Sequence, residues 1–134
     1  NSYNAPLSLN ALDYERKAQF IDVFEYHKGL IELRKSHPAF RMRTSQEIRE
    51  HIQFLETPKK TVGFTIRGYA NNDPWEEIVV IYNGDIDYHQ ISLPEGEWSV
   101  VVDKNKAGTE ILYTVQGTIK IPPISAVVMF RAPQ

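Results

Sequence analysis

A chain of 134 residues, 42% of them hydrophobic, is long enough for one ordinary core and contains no disordered or low-complexity stretch. Its 15 basic and 17 acidic residues are spread along the chain to a formal net charge of -2, which leaves no electrostatic footprint for nucleic acid or for an anionic membrane surface. With no cysteine, disulfides and thiolate metal sites are excluded, and no apolar run approaches the roughly 18 residues of a membrane span, so no membrane insertion is expected. The chain opens at Asn1 without methionine and reads as a piece of something longer.

Residues 1–10, NSYNAPLSLN, are loop chemistry, with Tyr3 as their only large ring. From Asp13 the pattern turns helical. Phe20, Val23, Phe24, His27, Leu30, Ile31 and Arg34 recur at three- and four-residue steps with Asp22, Glu25, Lys28, Glu32 and Lys35 between them, which predicts one long amphipathic helix with its greasy face towards a core. Asn10 and Asp13 can cap its start, Arg34 and Lys35 suit the negative end of its dipole, and Pro38 ends it near Ser36. Gly29, in mid-helix, costs about 1 kcal/mol relative to alanine and implies that another backbone comes close there. Thr44-Ser45-Gln46-Glu47 has the spacing of a capping box before a short second helix through Ile48 and His51.

Beyond Gln53 the period changes to two. Strands are expected at His51–Glu56, Val62–Tyr69, Glu77–Asn83, Tyr88–Leu93, Glu97–Asp103, Glu110–Val115, Thr118–Ile121 and Ala126–Arg131. Thr57-Pro58-Lys59-Lys60, Asn83-Gly84-Asp85, Pro94-Glu95-Gly96, Lys106-Ala107-Gly108 and Gln116-Gly117 supply the turns, and Pro122-Pro123 must lie outside a central strand. Eight short strands at this spacing predict an antiparallel Greek-key β-sandwich. The change of period puts a domain boundary between Phe40 and Gln53, taken as residues 1–40 and 41–134.

Three constellations carry some chemistry. Asn1, Ser2, Tyr3, Asn4 and Asn10 offer amides, hydroxyls and one ring, the equipment for reading sugar hydroxyls, against the plainer reading of a polar loop. Asn83, Asp85, Asp87 and His89 alternate as hard-cation ligands would, but lack the glycine and closing glutamate of an EF-hand, and Asn-Gly is itself a hairpin signal. Trp75 and Trp98 could stack on sugar rings, although packing against the sheet is the commoner use of tryptophan. His27, His37, His51 and His89 have no metal-binding spacing, and no nucleophile elbow, phosphate loop or dinucleotide fingerprint occurs.

Taken together, NSYNAP, then LNALDYERKAQFIDVFEYHKGLIELRKSHPAFR, then GTIKIPPISAVVMF, resemble type I pullulanases, starch-debranching enzymes of the α-amylase superfamily. In that family an Asn-Ser-Tyr-rich loop follows the eighth strand of a catalytic (β/α)8 barrel, a helix with a Lys-Gly-Leu-Ile-x-Leu-Arg-Lys-x-His-Pro-Ala-Phe run closes the barrel, and an antiparallel sandwich follows. This chain has Leu7 where family members commonly have Asp, and Tyr14 where they have Trp, both in or beside the loop that would face the cleft.

The resemblance implies a C-terminal part of a retaining hydrolase of α-1,6-glucosidic branch links in pullulan and dextrins. Its catalytic acids would lie on barrel strands upstream of Asn1, so that no catalytic or metal-binding residue is expected here. Asn1, Ser2, Tyr3, Asn4 and Asn10 would border the substrate cleft of the intact enzyme. The implied partners are the parent's barrel and, through it, a branched α-glucan. No cofactor is implied for this chain, with calcium a candidate ion of the catalytic domain; an extracellular or cell-surface parent is favoured. The competing hypothesis is a free-standing carbohydrate-binding or interaction module. A self-sufficient module buries Phe20, Phe24 and Leu30 on its own sheet, whereas the end of a larger enzyme leaves them without a partner.

Overall fold

The computed structural model describes Asn4, Pro6 and residues 13–132. Helices α1 (Arg16–Gln19), α2 (Ile21–Ser36) and α3 (Ser45–His51) precede strands β1 (Ile52–Phe54), β2 (Thr61–Arg67), β3 (Glu77–Asn83), β4 (His89–Val102), β5 (Tyr113–Ile121) and β6 (Ser125–Arg131). The expected single long helix is divided. Phe20, at φ -119° and ψ 44°, leaves the helical well between α1 and α2, with neither proline nor glycine to mark the break. At the other end Pro38 behaves as predicted, because His37 is extended and a 3-10 turn, Pro38–Arg41, replaces the helix. The capping box also forms. The Thr44 hydroxyl accepts from the Glu47 amide, and the Glu47 carboxylate accepts from the Thr44 amide, starting α3.

The eight expected strands resolve as six, in one antiparallel sheet of order β1-β2-β3-β6-β4-β5. Pro94-Glu95-Gly96 and Gln116-Gly117 do not reverse the chain. They lie opposite one another across the β4–β5 ladder, where the register shifts between Ser92 and Glu97, and Gly96 and Gly117 take φ values of +120° and +76°. The two turn signals therefore bend one long hairpin instead of making two short ones. Asn83-Gly84-Asp85 is likewise no hairpin turn, because neither Gly84 nor Asp85 adopts the positive φ that such a turn needs and β6, not β4, pairs with β3. The last strand thus returns between β3 and β4, the kind of non-sequential neighbour that a Greek-key connection makes.

The bend folds the hairpin over one face of its own sheet. Ile91, Ile119 and Ile121 from beyond the bend share a cluster with Val79, Ile81, Val127 and Met129 of β3 and β6, so one continuous sheet supplies both layers of that core. The opposite face carries Ile66, Ile78, Val80, Val128 and Phe130, and it is covered by Leu33 of α2 and Ala39 of the 3-10 turn. β3 and β6 are buried on both faces, as their unbroken apolar runs suggest.

Candidate functional site

Of the predicted rim-loop residues, Asn1, Ser2, Tyr3 and Asn10 fall outside the described residues, as does Leu7, while Asn4 is exposed in a turn. Tyr14 is exposed at the turn before α1. The structure is most informative at α2.

The helix meets the sheet on a different seam from the one its apolar periodicity marks. Tyr26, Gly29 and Leu33 face inward. A Cβ on Gly29 would overlap the Ala107 carbonyl, so the close backbone anticipated from the mid-helix glycine belongs to the loop between β4 and β5. One turn away, the Tyr26 hydroxyl donates to the Asp103 carbonyl oxygen at 2.7 Å. Burial, and then the nearby Asp103 carboxylate, push that hydroxyl above its ordinary pKa and keep it a donor.

A clamp holds the helix end. Asp73, buried in the loop before β3, accepts from the Ala39 amide at 3.1 Å and the Trp75 amide at 2.9 Å, and its Oδ1 lies 3.0 Å from His37 Nδ1. The amide group of Asn71 adds a bond to the Pro38 carbonyl oxygen at 2.8 Å. His37 stacks on Trp75 at 3.4 Å between ring centroids, and Trp75 stacks on Phe130 at 4.0 Å. Both faces of Trp75 are therefore occupied and leave no room for a sugar ring. Trp98 is fully buried in the folded-over core, with its indole nitrogen donating to the Pro94 carbonyl oxygen at 2.9 Å. Neither tryptophan is a platform. Local sequence gave one hint of the clamp, the polar Asp73 between turn residues and Trp75, whose partner 36 positions earlier no pattern indicates.

The alternating group at the end of β3 is a knot that closes the fold. The Asn83 side-chain amide donates to the carbonyl oxygens of Asp87, Ile121 and Pro122, tying the folded-over hairpin to β3. Asp85 accepts from Lys60 Nζ at 2.9 Å and lies 3.0 Å from His89 Nε2. Hydrogen bonds from His89 and then Lys60 hold its carboxyl well below the usual carboxylate range. Glu77 sits between two guanidinium groups on neighbouring strands, at 2.8 Å from Arg67 and 2.7 Å from Arg131. Among the described residues the buried carboxylates are Asp73, Glu77 and Asp85, and each is spent on such a contact.

Beside the charged residues that α2 turns to solvent runs an exposed apolar flank that begins at Phe20, just before the helix. Phe20 is 45%, Phe24 40%, Leu30 36% and Ile31 61% exposed, so the greasy face read from the sequence has no partner among the described residues. Lys17 and Arg16 lie over the Phe24 and Phe20 rings, at 3.9 and 5.8 Å from their centroids, and leave the rest of that flank bare.

Residues 48–106 match the family model of the pullulanase all-beta domain. A pullulanase of Bacillus subtilis strain 168 is 32% identical over 130 residues, covering 84% of this chain and 18% of its own length. The solved pullulanase from Bacillus acidopullulyticus superposes with a TM-score of 0.95 at 43% identity, over 98% of this chain and 16% of that one. The Paenibacillus barengoltzii pullulanase, solved with maltohexaose and alpha-cyclodextrin, superposes at 0.86 with 36% identity, over 99% of this chain and 20% of that one. The chain thus spans less than a quarter of each of these relatives. Its mainly β fold, the match of residues 48–106 to the all-beta domain and the superposition of nearly the whole chain on solved pullulanases show that it resembles a part of a pullulanase.

Proposed function

We propose that this chain supplies the closing part of a pullulanase-type glycoside hydrolase, with residues 1–40 as the last loop and helix of a (β/α)8 catalytic barrel and residues 41–134 as the C-terminal all-β domain. Its work is structural: it covers apolar surface on the barrel and helps the parent enzyme fold. The observation that carries this reading is the exposed flank formed by Phe20 and by Phe24, Leu30 and Ile31 of α2, a helix whose other seam is already filled by the sheet. A free-standing carbohydrate-binding module has no use for such a flank and would bury it.

The parent's reaction is the cleavage of α-1,6-glucosidic branch links in pullulan and dextrins. A retaining mechanism needs two carboxyl groups about 5–5.5 Å apart in a cleft. The structural employment of Asp73, Glu77 and Asp85 supports placing those acids on the barrel, outside this chain. Asn1, Ser2, Tyr3, Asn4 and Asn10 then border the cleft, any calcium belongs to the catalytic domain, and the parent meets its polymeric substrate outside the cell or at its surface.

Calorimetric titration of the purified chain with maltotriose and a branched maltooligosaccharide, beside a pullulan hydrolysis assay, tests the assignment. Neither binding nor turnover is expected. Saturable binding would favour the module, and turnover by the pure chain would overturn the placement of the acids. Deleting residues 53–134 from the intact enzyme is expected to lower its solubility and activity; full retention of both would refute the structural role.

A further inference from the structure

The only Asn-Gly pair of the sequence sits inside the knot that closes the fold. Asn83 ends β3, paired with Thr61 of β2 on one side and Ser125 of β6 on the other, and it is 2% exposed. Its amide nitrogen donates to the carbonyl oxygens of Asp87, Ile121 and Pro122 at 2.9, 3.2 and 3.0 Å, while its Oδ1 accepts from the Asp85 amide at 2.9 Å. The Gly84 amide donates to the Lys60 carbonyl oxygen at 3.0 Å. Asparagine before glycine is chemically labile, because a following residue without a Cβ lets its main-chain nitrogen swing onto the side-chain carbonyl carbon.

We propose that Asn83 is a deamidation site held shut by the fold, and that its conversion to an acid makes opening of the knot irreversible. Three features hold it shut. The extended backbone of β3 turns the Gly84 nitrogen away from Asn83 Cγ, the Gly84 N–H is engaged by Lys60, and Cγ is fixed through bonds at both of its polar atoms. Local opening at the end of β3 removes all three together. In the opened chain hydroxide takes the Gly84 amide proton, and the nitrogen attacks Asn83 Cγ. The Cγ–Nδ2 bond breaks, Nδ2 leaves as ammonia with a proton from water, and a cyclic imide remains. Water then adds to either imide carbonyl and opens the ring to aspartate or isoaspartate, so that overall one water is consumed and one ammonia released. Neither product re-forms the knot. A carboxylate has no hydrogen to give to the three carbonyl oxygens and sets a negative charge against them. Isoaspartate also lengthens the main chain at the residue paired with Thr61 and Ser125, which moves Asp85 out of step with Lys60 and His89.

The intact enzyme that contains this chain is held at mildly alkaline pH, in native buffer and in urea that unfolds it, and the peptide carrying Asn83 is followed by mass spectrometry. Conversion is expected to run about a hundredfold or more faster in urea. Equal rates, or no conversion in urea, would overturn the proposal. A partly converted sample is then diluted from urea and given a protease pulse, which separates refolded from unfolded all-β domain. The resistant fraction is expected to be depleted in converted Asn83 by about tenfold or more. Equal shares in the two fractions would mean that the acid rebuilds the knot, and would also overturn the proposal. Gly84→Ala checks the route. Gly84 does not take a positive φ, and a Cβ there meets only the Lys60 carbonyl oxygen, at 3.4 Å, so the fold accepts it. Its conversion in urea is expected to slow by about tenfold, because the added methyl group hinders ring closure. Conversion of the variant at the wild-type rate would overturn the assignment of the site to this pair.

Discussion

Substituting Asp73 by alanine tests whether α2 is fastened to the sheet or merely lies on it. The carboxylate is 2% exposed and accepts from the Ala39 and Trp75 amides, besides facing His37 Nδ1. Alanine leaves those two buried amides without an acceptor, at about 1–3 kcal/mol each, and removes the contact that orients His37 on Trp75. The cost of burying the carboxylate is recovered in part. A net loss of about 3–4 kcal/mol is expected, a large share of the roughly 5–15 kcal/mol that holds a domain together. With a urea slope of about 2 kcal/mol/M, the unfolding midpoint of the 134-residue chain falls by about 1.5–2 M. Asp73→Asn keeps one acceptor oxygen and is expected to lose about half as much. Amide exchange in α2 provides the local reading, because Leu33 and its neighbours should lose protection ahead of β3. A loss below about 1 kcal/mol for Asp73→Ala, or unchanged protection in α2, would show that the clamp does not carry the helix.

Three further substitutions have definite signs. Gly29→Ala gains about 1 kcal/mol of helix propensity in an open helix but here drives a methyl group into the Ala107 carbonyl, an overpacking cost of about 1–3 kcal/mol or more, so thermal unfolding should show net destabilisation; a rise in Tm would refute the close approach. Asp85 titrates below its unfolded value of about 3.9, so its contribution is present above that pH and lost as the pH falls through and below it. The Tm gap between wild type and Asp85→Asn should therefore narrow on acidification from about pH 5 to about pH 2, and a constant gap would exclude the Lys60–Asp85–His89 knot as a source of stability. Thr44→Ala removes the hydroxyl half of the capping box and is expected to cost about 1 kcal/mol in urea unfolding; an unchanged midpoint would mean that α3 is held by packing alone.

The features that local chemistry dictates were legible in the sequence: the stop at Pro38, the capping box at Thr44 and the bounds of β3 follow from short-range rules. The errors share a cause, which is that a turn residue or an apolar stripe does not name its tertiary partner. Gly96 and Gly117 carry the same signal whether they end two strands or bend one hairpin, and only their placement across a common ladder decides between these outcomes. Asp73 reads as a loop aspartate until His37 and Ala39 arrive beside it. The rim residues Asn1, Ser2, Tyr3 and Asn10 lie outside the described part of the chain, and their role rests on the family resemblance.

The helix is the instructive case, because its strongest periodic signal pointed away from the core to which the chain itself can fold. Taken as a set, Phe20, Phe24, Leu30 and Ile31 are more apolar than Tyr26, Gly29 and Leu33, yet the second set meets the sheet. Gly29 was the better guide. A glycine kept at a helical cost reports how near another backbone comes, whereas an apolar side chain reports only that something covers it. Its three- and four-residue neighbours, Tyr26 and Leu33, define the inner seam without any reference to hydrophobicity. A helix with one seam set by close approach and another by bulk is built to lie between two bodies. On the reading proposed above, the clamp at Asp73 therefore does more than stabilise the all-β domain: it fixes the angle at which Phe24 and Ile31 are presented to the barrel. A loss at the clamp should then be felt on the far side of the helix, where no residue of the clamp makes contact.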